Sequence, residues 1–242
     1  MNPFNNLFPH PNTTYFAMFQ GESPENYEQK CLCVLALDIS GSMQGQAIAE
    51  LNKGLQAFQK EVVDDFVASQ RLEISIVTFG STAQCIQQPV LVGQTEIPTL
   101  QAAGTTKLVS GVQKALEIVE QRKQWYKETG QNYYRPMVVL ITDGEPDPDQ
   151  DLPALAREIT QGMVGKKFTF FALGVKGFNY DKLAQLCPPP THPLVLDGYK
   201  FANFFRWLSN SIGIGIIKSA ERGEKPKLLP PGDYGFLEQI EF

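Results

Sequence analysis

The sequence predicts an α/β fold: a doubly wound, mostly parallel sheet with helices on both faces and one antiparallel edge strand. Three observations point there. Short apolar runs alternate with segments whose apolar residues recur every three or four positions, the order expected when helical crossovers join parallel strands. Two of the apolar runs, "CLCVLALD" and "MVVLITD", stop at an aspartate, Asp38 and Asp143. A third run, "AQCIQQPVLV", carries Pro89, which has no N–H to give to a sheet centre and so belongs at an edge.

The elements follow in order. Residues 1–29 are rich in Asn, Pro and Phe and read as an irregular arm. "CLCVLALD" is apolar throughout, as a strand covered on both faces must be. Ile48, Leu51, Leu55, Phe58 and Val62 then mark one face of a helix. "LEISIVTFG" alternates like a strand and ends at a glycine; the edge strand follows. Leu108, Val112, Leu116 and Val119 form the next helical face, with Thr105 or Thr106 placed to cap its start. After "MVVLITDGEPD" a helix is predicted from about Leu152 to Met163, with Asp149 and Asp151 near its positive end. "KFTFFALGV" is a buried strand, Asp181 to Leu186 a short helix, "CPPPTHP" a stiff loop and "PLVLDG" a last short strand. Phe201, Phe204, Phe205, Leu208 and Ile212 have helical spacing, while Trp207 falls off that stripe and is expected to touch the arm or the tail. The apolar residues of "SIGIGII" alternate as in a strand, which leaves that segment ambiguous. Residues 219–242 read as a tail with apolar anchors, so the domain proper is placed at 30–218.

Bulk properties narrow the function. The 242 residues are 43% hydrophobic and 19% charged, a globular balance. The formal net charge is −5 and no Lys/Arg cluster is visible, which argues against nucleic acid as a partner. The first residues lack the basic start and apolar core of a signal peptide, and no apolar stretch approaches the roughly 18–20 residues that span a bilayer. A cytoplasmic protein without membrane contact is the expectation. Cys31, Cys33, Cys85 and Cys187 lie in or beside apolar runs and form no C-x-x-C pair, so packed, reduced thiols are expected.

In doubly wound sheets, ligands bind at the carboxyl ends of strands where the strand order reverses. If the strands ending at Asp38 and Asp143 are neighbours, three oxygen-bearing loops converge: Asp38 to Ser42, Thr105–Thr106, and Asp143 to Asp147. Asp38, Ser40, Ser42, a threonine and Asp143 offer only oxygen ligands, the chemistry Mg²⁺ prefers, with Mn²⁺ or Ca²⁺ as alternatives. Asp, Ser and Gly also make turns for local reasons alone. Two strand-ending aspartates with a threonine between them are harder to explain that way. With so few negative charges the cation stays electrophilic and can accept a partner's carboxylate. Gln44, Thr105, Glu145 and Asp147 would form the rim of such a site.

Rival chemistries fit less well. A serine nucleophile needs a base within reach, and the chain has only His10, in the arm, and His192, in the stiff loop. No G-x-S-x-G surrounds Ser40 or Ser42. Ser40 stands where a D-x-D phosphotransferase has its second carboxylate, and no phosphate-binding glycine loop is present. Counted from Asp143 as an EF-hand, the glycine position holds Pro148 and the closing glutamate position holds Ala154.

The pattern D-x-S-x-S, then a threonine, then an aspartate resembles the metal-ion-dependent adhesion site of von Willebrand factor A domains. In that likeness Asp38, Ser40 and Ser42 supply the first element and Asp143 the last. Thr106 supplies the threonine, with Leu108 and Gly111 at the expected distances after it and Thr105 as the fallback. The likeness implies a Rossmann-like fold, hydroxyl ligands from Ser40, Ser42 and Thr106, and carboxylates from Asp38 and Asp143 bound directly or through water. "LDISGSMQGQAIAELNKGLQAF", "VTFG", "YYRPMVVLITDGEPD", "FFALGV" and "FFRWLSNSI" further resemble the bacterial TerY-type proteins and their YegL-like group, over about residues 30–218. That resemblance implies a stress-response or tellurite-resistance-like setting, with a Ser/Thr-kinase-like protein and a PPM-type phosphatase as partners.

Overall fold

The computed structural model describes residues 26–188, 191–218, 222–223 and 228–237. The strands are β1 (Cys31–Asp38), β2 (Leu72–Phe79), β3 (Ala83–Leu91), β4 (Met137–Thr142), β5 (Thr169–Gly174) and β6 (Leu194–Val195). The helices are α1 (Gln46–Asp64), α2 (Phe66–Arg71), α3 (Leu108–Thr129), α4 (Leu152–Val164), α5 (Tyr180–Ala184) and α6 (Phe201–Asn210). Most of the arm expected over 1–29, His10 included, lies outside the described residues.

Every residue of β1 is buried, and neighbours on both sides explain why its sequence shows no polar alternation. It pairs in parallel with β2 and with β4. The six strands run in the order β3-β2-β1-β4-β5-β6, all parallel except the antiparallel edge pair β2/β3. Winding therefore reverses between β1 and β4, and the Asp38 and Asp143 loops leave the sheet at that crevice.

Alternate β1 side chains feed two separate cores. Cys31, Cys33, Leu35 and Leu37 pack with α1 and α6; Leu32, Val34 and Ala36 pack with α3, α4 and α5. Full burial of each leucine-sized side chain favours the fold by about 1.5–3 kcal/mol. Gly111 lets α3 close on the sheet, because a Cβ there would stand 2.4 Å from the Phe79 ring. All four cysteines are free, and burial pushes the Cys31 and Cys187 thiols up to about 12.

One expectation is corrected and one ambiguity resolved. Neither threonine caps α3: the helix begins at Leu108, and the Val109 N–H donates instead to Gln150 Oε1 at 2.8 Å. "SIGIGII" is not a strand but a π-helix, Ser211–Lys218, running straight on from α6. Ile212 and Ile217 are both fully buried, and no turn residue separates the segment from α6. Trp207 does meet the tail: its Nε1 donates to Leu229 O at 2.9 Å and its ring packs against Phe236. Asp151 caps α4 through the Ala154 N–H, at 2.9 Å.

Candidate metal centre

Each donor arrives by a local device. Asp38 is the last residue of β1, fully buried, and its Oδ1 accepts the Ser40 N–H at 2.8 Å. That contact turns the chain so that Ser40 and Ser42 follow inward, their hydroxyls 2.9 Å apart. Ser42 Oγ then donates to Asp143 Oδ1 at 2.7 Å, across the crevice between β1 and β4. Asp38 Oδ2 accepts from Thr142 Oγ1 at 2.6 Å, because Thr142 ends β4 beside the end of β1.

Thr106 comes from a loop tied down on both sides. Ala103 N donates to Ile39 O at 2.7 Å, and Gly41 N to Gly104 O at 2.9 Å. Gly104 has φ +87°, and a Cβ there would collide with Ser81 Oγ, so glycine alone permits this crossing. Ser81 Oγ in turn accepts the Thr105 N–H at 3.2 Å. Thr106 is buried, while Thr105 faces outward.

Gly144 marks the point of convergence. A Cβ built on it would lie 3.4 Å from Thr106 Oγ1, 3.5 Å from Ser42 Oγ and 3.6 Å from Asp38 Oδ2. No two of these oxygens are therefore more than about 7 Å apart, the sum of two such distances. Asp38, Ser40, Ser42, Thr106 and Asp143 thus surround one small space. Among the described residues, no three His, Cys, Asp or Glu side chains cluster so as to hold a metal by themselves. Any cation here depends on hydroxyls, and the all-oxygen donor set fits a hard divalent ion.

The electrostatics are those of buried acids short of counter-charge. Burial pushes the Asp38 carboxyl up to about 6, against the hydrogen bonds of Ser40 and Thr142, and the Asp143 charge adds to the rise. Burial also raises Asp143, with the Ser42 hydroxyl opposing. Among the described residues neither carboxylate has an ion-pair partner.

The rim residues are otherwise engaged. Glu145 accepts from Asn179 Nδ2 at 2.6 Å and from Lys182 Nζ at 2.7 Å. Asp147 Oδ1 accepts the Thr106 N–H at 3.2 Å, and Lys107 bridges Asp147 and Asp149. Gln44 reaches over to Ala102 O at 3.4 Å. Sequence reasoning missed Thr142, Ser81, Gly144 and Gln150. Only Thr142 and Gly144 had a signal, by flanking Asp143. Ser40 and Ser42 hydroxyls contact each other and Asp143, and His192 is not among their partners.

The family model described as the von Willebrand factor type A domain matches residues 33–205. Inter-alpha-trypsin inhibitor heavy chain H1 of Bos taurus is 24% identical over 177 residues, covering 69% of this chain and 18% of that protein. The Mesocricetus auratus counterpart is 25% identical over 176 residues, with the same coverage. The chain therefore spans less than a fifth of the length of these relatives. Among solved structures, the pilus adhesin SpaC of Lactobacillus rhamnosus GG in its open conformation superposes with a TM-score of 0.61 at 13% identity, covering 78% of this chain and 31% of that one. The von Willebrand domain of the type V pili tip protein Mfa5 of Porphyromonas gingivalis gives 0.54 at 13% identity, covering 78% and 96%. Proximal thread matrix protein 1 of the mussel byssus, with a zinc-occupied MIDAS motif, gives 0.53 at 17% identity, covering 76% and 47%. At these identities the solved structures share the fold.

Proposed function

The chain belongs to the von Willebrand factor type A family, and from that premise we propose that it is a non-catalytic, metal-dependent protein-recognition module. Asp38, Ser40, Ser42, Thr106 and Asp143 would hold the cation, Mg²⁺ in the first instance, with Mn²⁺ or Ca²⁺ as alternatives. The cation, when bound, supplies an electrophilic centre to which a partner's Asp or Glu side chain can add. The observation that carries this reading is the convergence of three hydroxyl and carboxylate oxygens at Gly144 beside acids that lack counter-charge. The mussel protein's occupied motif makes Zn²⁺ a further ion to try.

The chain's own groups support recognition over turnover. Ser40 and Ser42 are within hydrogen-bond distance of each other and of a carboxylate, and among the described residues no histidine bonds to either hydroxyl. Glu145 and Gln44, on the rim, would discriminate among partners. We further propose a bacterial stress-response or tellurite-resistance-like setting in the cytoplasm, acting with a Ser/Thr-kinase-like protein and a PPM-type phosphatase. The support for that setting is the residue-level likeness to TerY-type and YegL-like proteins. On the membrane question, no helix among the described residues is long and apolar enough to cross a bilayer.

The test is a calorimetric titration of Mg²⁺ and Mn²⁺ into the wild type and a variant carrying Asp38→Ala with Ser40→Ala. One site, lost in the folded variant, is the expected result. Capture of the kinase-like and phosphatase partners with and without chelator follows. Partner binding that survives chelator and both substitutions would sink the mechanism, and turnover dependent on Ser40 or Ser42 would replace it with an enzyme.

A further inference from the structure

We infer that Gln150 is a positioning residue for this centre, locking the Thr106 loop to the Asp143 loop; the inference rests on the metal reading above. Gln150 lies outside the ligand pattern, in the loop between β4 and α4. Its Nε2 donates to Thr106 O at 2.7 Å and to Asp147 O at 3.2 Å, and its Oε1 accepts the Val109 N–H at 2.8 Å. The amide orientation follows from chemistry: two carbonyls can only accept and an N–H can only donate.

Asp147 completes the clip. Its N–H donates to Thr106 O at 3.1 Å, and its Oδ1 accepts the Thr106 N–H. Both backbone polar groups of Thr106 are thus held by the loop that starts at Asp143. Two of the three donor-bearing loops are one unit, and the Thr106 hydroxyl keeps its place against Gly144 through bonds that a ligand inventory would omit. Ligand placement by outer partners of this kind is commonly worth a factor of about 10–100 in metal affinity.

A plainer role competes: Gln150 also does the capping that neither threonine does for α3. Glutamate separates the two. Gln150→Glu keeps an acceptor for Val109 N–H but cannot donate to Thr106 O or Asp147 O. Its added charge would by itself favour a cation, so weaker binding in that variant speaks directly for the clip.

The experiment is Mn²⁺ titration by calorimetry on the full chain, with thermal midpoints recorded in chelator. The proteins are wild type, Gln150→Ala, Gln150→Glu, Thr106→Ala and Thr106→Ala with Gln150→Ala. Both Gln150 variants are expected to weaken Mn²⁺ binding by about 10-fold, with a cooperative thermal transition in chelator showing that each is folded. In the Thr106→Ala background, Gln150→Ala should change affinity by less than about twofold, because its effect passes through Thr106. Wild-type affinity in both Gln150 variants, or the full loss repeated without the Thr106 hydroxyl, overturns the clip and leaves the metal centre standing. A wild type that binds no divalent ion overturns the metal reading and the clip with it.

Discussion

Buried carboxylates stand at both ends of the sheet, and the chain treats them differently. At the end where β2 begins, Glu73 is almost fully buried and accepts two bonds at 2.8 Å from Arg122 and one at 2.5 Å from Tyr126. The guanidinium also lies 3.8 Å over the Trp125 ring. At the opposite end, Asp38 and Asp143 receive only hydroxyl and backbone N–H donors. A buried charge needs a partner to offset its lost hydration. One acid has its cation built in; the other two leave that cost standing in the metal-free protein, as the elevated Asp38 carboxyl shows. Under the metal reading proposed above, the missing positive charge would come from a cation in solution.

The comparison is broken most decisively at the self-neutralised end. Arg122→Met strands the Glu73 charge in the core and is expected to cost about 3–5 kcal/mol, read by urea denaturation. Adding Glu73→Gln to it should recover much of the loss. Neither change should alter Mg²⁺ affinity, since both lie at the far end of the sheet. A single substitution costing less than about 1 kcal/mol would mean that the pair is not compensating a buried charge.

Asp38 should behave in the opposite sense. Folding raises its carboxyl from 3.8 to about 6, so the folded state favours the proton. That contribution is fully present below the lower value and is lost as pH rises through the higher one. In chelator, Asp38→Asn is therefore expected to be more stable than wild type at pH 8, by about 2–3 kcal/mol. The advantage should vanish as pH falls towards 4, and Mg²⁺ should stabilise only the wild type. An Asn variant less stable than wild type in chelator at pH 8 would erase the contrast between the two ends.

How much of this was legible depended on distance along the chain. β1 and β4 each write strand and candidate donor into a few adjacent letters, so Asp38, Ser40, Ser42 and Asp143 could be picked out directly. Thr106 could be preferred over Thr105 only through the family likeness, by Leu108 and Gly111 after it; that Thr106 is buried and Thr105 exposed is a three-dimensional fact the letters do not carry. Gln150 holds Thr106 and Val109, each more than 40 positions away, and Glu73 finds Arg122 49 positions on, so neither had a local pattern. "SIGIGII" stayed ambiguous because glycine between isoleucines looks like strand alternation, whereas the segment continues α6 as a π-helix.

The smallest expected change in stability is also the sharpest test of where the missing charge goes. Gly144 does not occupy the left-handed region, so alanine fits its backbone. The added methyl would make ordinary contacts, at 3.4–3.6 Å, with Thr106 Oγ1, Ser42 Oγ and Asp38 Oδ2. Gly144→Ala removes no ligand and reduces the freedom of the unfolded chain, so stability should hold or rise by up to about 1 kcal/mol. Yet the methyl takes the face on which these oxygens meet, and Mg²⁺ binding, read by calorimetry, should be lost or much weakened. A folded Gly144→Ala protein with wild-type affinity would show that the cradle opens on another side. The raised acids would then need a different explanation, because the shared face of these three oxygens at Gly144 would have been closed without effect.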